Sequence, residues 1–154
     1  MNKKTISIIL LIIFIITSVL TLANVFLTDV NTTQNQAGTL TINGTTIHYE
    51  KAGKCLEVID ANTIQVYGVG RVQLTQIDTP SAEPGFSQAK KFVEDRCLGK
   101  TVYLNVDDKK PYDNYGRTLA IVYTENEDIN KELLDNNLAK ISYFTPSEFK
   151  KGNV

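Results

Sequence analysis

Few side chains in this sequence are suited to binding a soft metal. There are two cysteines, Cys55 and Cys97, and one histidine, His48. No Cys-x-x-Cys spacing occurs, and a single histidine is too few for the usual zinc ligand sets. The two cysteines predict a disulfide bridge, with two buried free thiols as the alternative. His48 falls in a predicted hairpin and is interpreted as a surface strand residue.

The charge of the chain argues against one class of nucleic-acid-binding protein. Beyond residue 30 there are 14 Lys and Arg against 16 Asp and Glu, a net charge near −2. Such a chain does not bind nucleic acid through a broad basic surface. Any contact with phosphate must therefore be local and made by a few placed residues.

The N-terminus predicts attachment to a membrane. Lys3 and Lys4 precede 24 uncharged residues, Thr5 to Thr28. As a helix this stretch is long enough to cross a hydrocarbon core about 30 Å thick. The lysines should stay in the cytoplasm, which places residues 30 onward outside, where a disulfide is permitted. The alternative is a signal peptide cleaved after residues 21–23, which would release a secreted protein.

The anchor is followed by a polar linker, a hairpin and the main domain. Apolar and polar residues alternate from Leu40 to Tyr49 around Asn43 and Gly44, a pair typical of a two-residue hairpin turn. The predicted divisions are an anchor, a linker with its hairpin, and a folded domain, at residues 1–29, 30–53 and 54–154.

The main domain has five strand patterns and two helical patterns. Apolar spacing predicts one helix that ends at Gly99 and a second that begins near Asp128 and ends at Asn137. The first helix falls between the third and fourth strands, which is the element order of a mainly β, five-stranded OB-fold barrel with added helices. The predicted strands are Lys54–Ile59, Thr63–Tyr67, Arg71–Ile77, Thr101–Val106 and Leu119–Tyr123.

Four sequence blocks within roughly residues 54–144 carry a resemblance to a known family. They are Val58-Ile59-Asp60-Ala61-Asn62-Thr63-Ile64, Ile77-Asp78-Thr79-Pro80, Asp113-Asn114-Tyr115-Gly116-Arg117-Thr118-Leu119-Ala120 and Leu133-Leu134-Asp135-Asn136-Asn137-Leu138-Ala139-Lys140. In this order they are similar to the signatures of the staphylococcal nuclease, or thermonuclease, family. The resemblance implies an OB-fold barrel and calcium-dependent hydrolysis of DNA and RNA phosphodiesters.

The resemblance implies a calcium site that this sequence keeps only in part. Asp78 and Thr79 match a carboxylate ligand and a carbonyl ligand of the family. Asn62 stands where the family has an aspartate ligand, so an amide oxygen replaces a carboxylate. Hard cations prefer oxygen ligands, and Ca²⁺ stays the implied metal, with one formal charge fewer around it.

The phosphate-binding arginines implied by the resemblance are also kept in part. Arg117 matches one of them; the alternative is a turn residue paired with Asp113 or Asp107. Gln73 replaces the other arginine and offers hydrogen bonds without charge. Arg71 lies two residues earlier on the same strand face and is a candidate for partial substitution.

The catalytic base implied by the resemblance is absent from its position. Ser81 stands where the family has glutamate, and Glu83 is a candidate to reach the site by a different loop path. Tyr115 and Tyr112 flank the turn before Arg117 and are candidates to stack on bases.

These replacements predict a membrane-anchored, extracytoplasmic thermonuclease-like domain that is catalytically weak or inactive. Losing one preorganised donor typically costs about 10²–10³ in rate, and losing a general base about 10²–10⁴. One alternative is an active Ca²⁺-dependent nuclease with a site rearranged around Asp78, Glu83, Arg71 and Arg117. Another is a non-catalytic structural or binding module of the cell envelope. The expected partners are single-stranded nucleic acid and the membrane, and no protein partner is inferred.

Overall fold

The computed structural model describes residues 2, 11–17 and 36–150. The chain divides into two compact units, Met1–Thr33 and Gln34–Val154. In the first unit residues 11–17 are helical, and most of the predicted anchor lies outside the described residues. No helix in the described part of the chain is both long and apolar enough to cross a membrane. Membrane attachment therefore stays a prediction.

The second unit is a β structure with two helices over residues 36–150. In chain order its elements are β1 (Gly38–Ile42), β2 (Thr45–Tyr49), β3 (Lys51–Asp60), β4 (Thr63–Val66), β5 (Gly70–Leu74), β6 (Ile77–Asp78), α1 (Gly85–Cys97), β7 (Thr101–Val106), β8 (Thr118–Tyr123), α2 (Ile129–Asp135) and β9 (Lys140–Ile141).

Five of these strands close into a barrel, as the sequence predicts. Around the barrel they follow the order β3, β4, β5, β8, β7. The pair β5–β8 is parallel, and the other pairs in this order are antiparallel. Fully buried aliphatic side chains, among them Ile64, Leu74 and Leu104, fill the interior. Removing this apolar surface from water is the main force that holds the barrel closed.

Both helices form where the apolar spacing predicts them. Helix α1 directs Ala89 and Val93 into the barrel core. Asp128 caps α2 by accepting a hydrogen bond from the backbone N–H of Lys131 at 2.9 Å, the usual role of aspartate at this position. Asn137 follows α2 with φ 58°, which confirms it as a left-handed residue that ends the helix.

The β1–β2 hairpin is confirmed, and it packs on a second, smaller core through Ile42, Leu40 and Ile47. Asn43 and Gly44 make its turn with φ 50° and 80°, the positive values that a type I′ turn requires. His48 is exposed on β2. The second core contains Ile42, Ile121, Tyr123 and Phe149.

One prediction about the chain path is wrong. The predicted strand Arg71–Ile77 is broken, because Gln76 adopts φ 64° and leads the chain out of the barrel into β6, which pairs with β9. Beyond β9 the chain forms no further helix up to residue 150, and Ser147 and Phe149 are buried, each 8% exposed. The break at Gln76 has no local sequence signal, since it arises from contacts between distant parts of the chain.

Candidate nucleic-acid site

Arg117 lies at the centre of a hydrogen-bonded group of side chains on the barrel. Its Nε donates to Oδ2 of Asp113 at 2.6 Å, and its Nη1 donates to Oγ1 of Thr63 at 3.3 Å. The Thr63 hydroxyl donates in turn to Oδ1 of Asn62 at 3.2 Å. Thr63 also pairs with Gln73 across β4 and β5. We call these five residues the Arg117 cluster.

The turn before Arg117 determines where its side chain lies. Oδ1 of Asp113 accepts from the backbone N–H groups of Tyr115 at 2.8 Å and Arg117 at 2.9 Å. Gly116 has φ 77°, a backbone region that glycine enters without steric cost. Asp113 therefore holds both the backbone and the guanidinium of Arg117, and of the two acids considered as its partner it is Asp113 that forms the ion pair.

The protonation of Asp113 depends on these bonds. Burial acts to raise the pKa of the carboxyl, while hydrogen bonds from Arg117 and Tyr115 favour the charged form and outweigh burial. The pKa of Asp113 consequently lies below its usual value. At neutral pH the pair is ionised, and Arg117 is held by a charge-assisted hydrogen bond.

Gln73 does not reproduce an arginine in this arrangement. Its Oε1 is buried, and among the described residues it has no hydrogen-bond partner. A buried acceptor without a donor is unfavourable, and an oxygen acceptor repels the oxygens of a phosphate.

The other predicted ligands and the position of the missing base lie on residues 78–83, which we call the Asp78 loop. Asp78 is exposed at the end of β6 and pairs in register with Lys140. A cavity of about 270 Å³ is lined by these two residues together with Thr79, Pro80, Ser81, Asn137, Leu138 and Ala139. Three predicted site residues, Asp78, Thr79 and Ser81, are thus brought together here.

Glu83 and Arg71, the candidate substitutes for the missing base and the missing arginine, have their partners outside the Arg117 cluster. The carboxylate of Glu83 accepts from the hydroxyl of Ser87 and, at 3.3 Å, from its backbone N–H at the start of α1. Service as a base would require these bonds to break. Arg71 is exposed on β5 opposite Gln65. Within residues 36–150 no hydrogen bond or ion pair joins Glu83 or Arg71 to the Arg117 cluster.

The residues predicted to bind calcium form a poor donor set for that ion. Calcium takes roughly six to eight oxygen ligands, with carboxylates prominent among them. Asp78 supplies the single carboxylate of the predicted set, and the amide oxygen of Asn62 already accepts from Thr63. In the described part of the chain no group of three or more His, Cys, Asp and Glu is placed to hold a metal. The predicted set does not fit a firmly bound Ca²⁺.

Exposed aromatic rings lie beside positive charges in this region. Tyr115 is 85% exposed, with its ring centroid 5.5 Å from Cζ of Arg117. Tyr112 is 53% exposed, with its ring 5.7 Å from Nζ of Lys51. A flat ring beside a cation is suited to stack on a base while the cation contacts the neighbouring phosphate.

Cys55 and Cys97 are buried free thiols in the structure. Both belong to the barrel core, and Cys55 exchanges two backbone hydrogen bonds of 2.8 Å with Gly99 and Lys100, just beyond Cys97. Burial raises the pKa of Cys55 to about 11 and that of Cys97 to about 12, which keeps both thiols protonated and unreactive at neutral pH. The structure therefore has two buried free thiols, the alternative to the predicted disulfide. The Cys55–Cys97 bridge stays a prediction.

Comparisons with known proteins agree with the signatures. The family model described as staphylococcal nuclease homologue matches residues 71–153. A thermonuclease of Staphylococcus intermedius is 33% identical over 101 residues, which cover 59% of this chain and 60% of that protein. A thermonuclease of Staphylococcus hyicus is 32% identical over 108 residues, 64% of this chain and 63% of that one.

A more distant comparison is with an uncharacterized endonuclease of Haemophilus influenzae. It is 32% identical over 91 residues, which cover 56% of this chain and 49% of the endonuclease. The chain therefore spans from about half to about three fifths of the length of these relatives.

Proposed function

Because this chain belongs to the staphylococcal nuclease homologue family, we propose that its barrel binds single-stranded nucleic acid and hydrolyses phosphodiester bonds weakly or not at all. The observation that carries the proposal is the Arg117 cluster. One arginine is held there by Asp113, while the position beside it is the uncharged Gln73. Binding and hydrolysis make different demands on these residues.

Binding is supported by the way Arg117 is held. Because Asp113 and Thr63 fix the guanidinium, little side-chain freedom is lost when a phosphate oxygen binds to its remaining N–H groups. Tyr115 offers an exposed ring on which a base can stack. Few cations take part, so we expect modest affinity and a shallow dependence on salt, with a slope near −0.7 for each phosphate contacted.

Weak hydrolysis is supported by what the site lacks. A developing charge on the phosphoryl oxygens needs positioned cations, and the buried oxygen of Gln73 cannot supply one. Ser81 is not a base at neutral pH, and Glu83 is engaged by Ser87. With one carboxylate, Asp78, left in the predicted metal set, each requirement for turnover is weakened at once.

We further propose that the domain is tethered to a membrane on its outer side. The support is the sequence: Lys3 and Lys4 precede the uncharged stretch Thr5 to Thr28, and lysines of this kind stay in the cytoplasm. The mass of the mature protein tests the tether, because a cleaved signal peptide would remove more than 20 residues.

Binding is tested by fluorescence anisotropy with a labelled single-stranded DNA and the full-length protein. Arg117→Gln should weaken binding at least about tenfold, since a charged hydrogen bond to phosphate is lost. Arg71→Gln is the matched control, because it removes an exposed arginine outside the Arg117 cluster, and it should change affinity less than about twofold.

The proposal fails if the natural protein does not bind the DNA at concentrations up to about 1 mM. Equal losses in Arg117→Gln and Arg71→Gln would instead favour the rearranged site, in which Arg71 takes over part of the phosphate contact.

A further inference from the structure

Gln76 has a buried polar side chain and a left-handed backbone conformation. Each is energetically unfavourable unless neighbouring residues stabilise it. Gln76 is 2% exposed, and its φ of 64° lies in the left-handed region. A non-glycine residue is strained in that region, and a buried amide group must find hydrogen-bond partners. Such a residue persists where the structure around it determines its conformation. Gln76 leads directly into β6 and the Asp78 loop.

Within residues 36–150, the hydrogen-bond partners of the Gln76 carbonyl and side chain come from residues 142–149, which we call the C-terminal strap. Its backbone oxygen accepts from Ser142 N–H at 2.8 Å, and its Oε1 accepts from Phe144 N–H at 3.3 Å. Its Nε2 donates to Oγ of Ser147 at 2.9 Å. The same Ser147 oxygen accepts from Phe149 N–H at 3.1 Å. Both the oxygen and the nitrogen of the Gln76 amide group are therefore hydrogen-bonded to the strap.

The strap is also bound to the segment that leads to Arg117. The Glu148 N–H donates to Oδ1 of Asp107 at 3.1 Å, and Oε1 of Glu148 accepts from Asp108 N–H at 3.0 Å. Nζ of Lys110 lies 4.8 Å from the ring centroid of Phe144. One short segment thus contacts the chain on the way to the Asp78 loop and the chain on the way to the Arg117 cluster.

We infer that Gln76 is a positioning residue, which through Ser147 fixes the Asp78 loop relative to the Arg117 cluster. The inference rests on the proposed function, since it concerns the geometry of the same nucleic-acid site. A purely structural role is the competing explanation. Against it, Phe149 already attaches the strap to the second core through Ile42, Ile121 and Tyr123. The hydrogen bonds of Gln76 therefore fix the orientation of the strap and do not add to the apolar surface that it buries.

The link is tested with Gln76→Asn, Ser147→Ala and the double variant in the full-length protein. Asparagine tolerates a positive φ but is one methylene too short to reach Ser147. Each single change should weaken DNA binding about threefold to tenfold and speed amide hydrogen exchange in residues 78–83. Because the bond between Gln76 and Ser147 is already lost in either single variant, the double variant should lose less than the sum of the two single losses. Ser142→Ala is the control, since only its backbone N–H contacts Gln76.

The outcomes separate the link from the proposed function. If the variants lower the melting temperature but leave exchange in residues 78–83 unchanged relative to Ser142→Ala, the role of Gln76 is structural and the inference is wrong. Additive effects in the double variant would also overturn it. If the natural protein binds no DNA, the proposed function fails, while the exchange comparison still decides whether Gln76 positions the loop.

Discussion

The Arg117 cluster and the Asp78 loop are held in different ways. In the cluster, side chains bond to one another: Asp113 and Thr63 fix Arg117, and Thr63 joins Asn62. In the loop, Asp78 is exposed, and the attachment runs mainly through the backbone pairing of β6 with β9 and through Gln76. The Arg117 cluster is therefore organised before any ligand binds, whereas the position of the Asp78 loop depends on contacts with other segments of the chain.

Under the proposed function, this difference implies that binding and turnover can be separated in this barrel. Asp113 shapes its turn as well as holding the guanidinium, so the proposed phosphate contact at Arg117 depends first on that turn. In the proposed site, hydrolysis would need other groups at Asn62, Gln73 and Ser81, and none of these side chains shapes the turn that holds Arg117. We therefore expect their replacement to affect the chemistry more than the fold.

The largest expected effect comes from restoring the missing groups. The triple variant Asn62→Asp, Gln73→Arg and Ser81→Glu should raise Ca²⁺-dependent cleavage of single-stranded DNA by at least about 10²-fold, because it returns a charged ligand, a cation and a base. The rate is measured with a labelled oligonucleotide. Adding Arg117→Gln to the triple variant should remove most of the gain. A triple variant no faster than the natural protein would mean that these positions do not form the site.

A smaller effect is expected from the two cysteines, which lie on β3 and at the end of α1 and share the barrel core. A Cys55–Cys97 bridge would close a loop of about 42 residues and stabilise the domain by about 4 kcal/mol in the chain-entropy model. Protein from an oxidising compartment should then show no alkylatable thiols after unfolding, as judged by mass, and a higher urea midpoint than reduced protein. Two alkylatable thiols after unfolding would rule out the bridge. DNA affinity should be equal in both forms.

The smallest expected effect is the pH dependence of the Asp113–Arg117 pair. Since the folded pKa of Asp113 is lowered, its stabilisation is fully present above the unfolded pKa and is lost as pH falls through the folded value. Urea midpoints measured from about pH 6 down to about pH 2.5 should therefore fall more steeply for the natural protein than for Asp113→Asn. Asp108→Asn, an exposed acid of the same loop, should behave like the natural protein. Parallel curves for all three would contradict this account.

Much of the fold follows from local patterns. The hairpin is signalled by Asn43 and Gly44, and α1 by the spacing of Ala89 and Val93, because local backbone preference and apolar periodicity determine both. The turn at Gln76 has no such signal. Its left-handed backbone is stabilised by the C-terminal strap, some 70 residues away in sequence, and periodicity cannot report that contact.

The candidate site was predictable to a lesser degree. Arg117 and its pairing with Asp113 follow from the turn motif and were among the alternatives drawn from sequence. Thr63 was missed as a member of the Arg117 cluster, although it lies in the first signature block, directly after Asn62. The engagement of Glu83 by Ser87 was also missed, since it depends on where α1 begins.

The separation of binding from hydrolysis is tested most directly with the natural full-length protein and one labelled single-stranded DNA. Binding and cleavage are followed in the same samples, with Ca²⁺ and with a chelator. We predict that the DNA is bound and that Ca²⁺-dependent cleavage stays at least about 10²-fold below that of the triple variant. Cleavage at a comparable rate, stopped by the chelator, would contradict the account and show that the natural site is active.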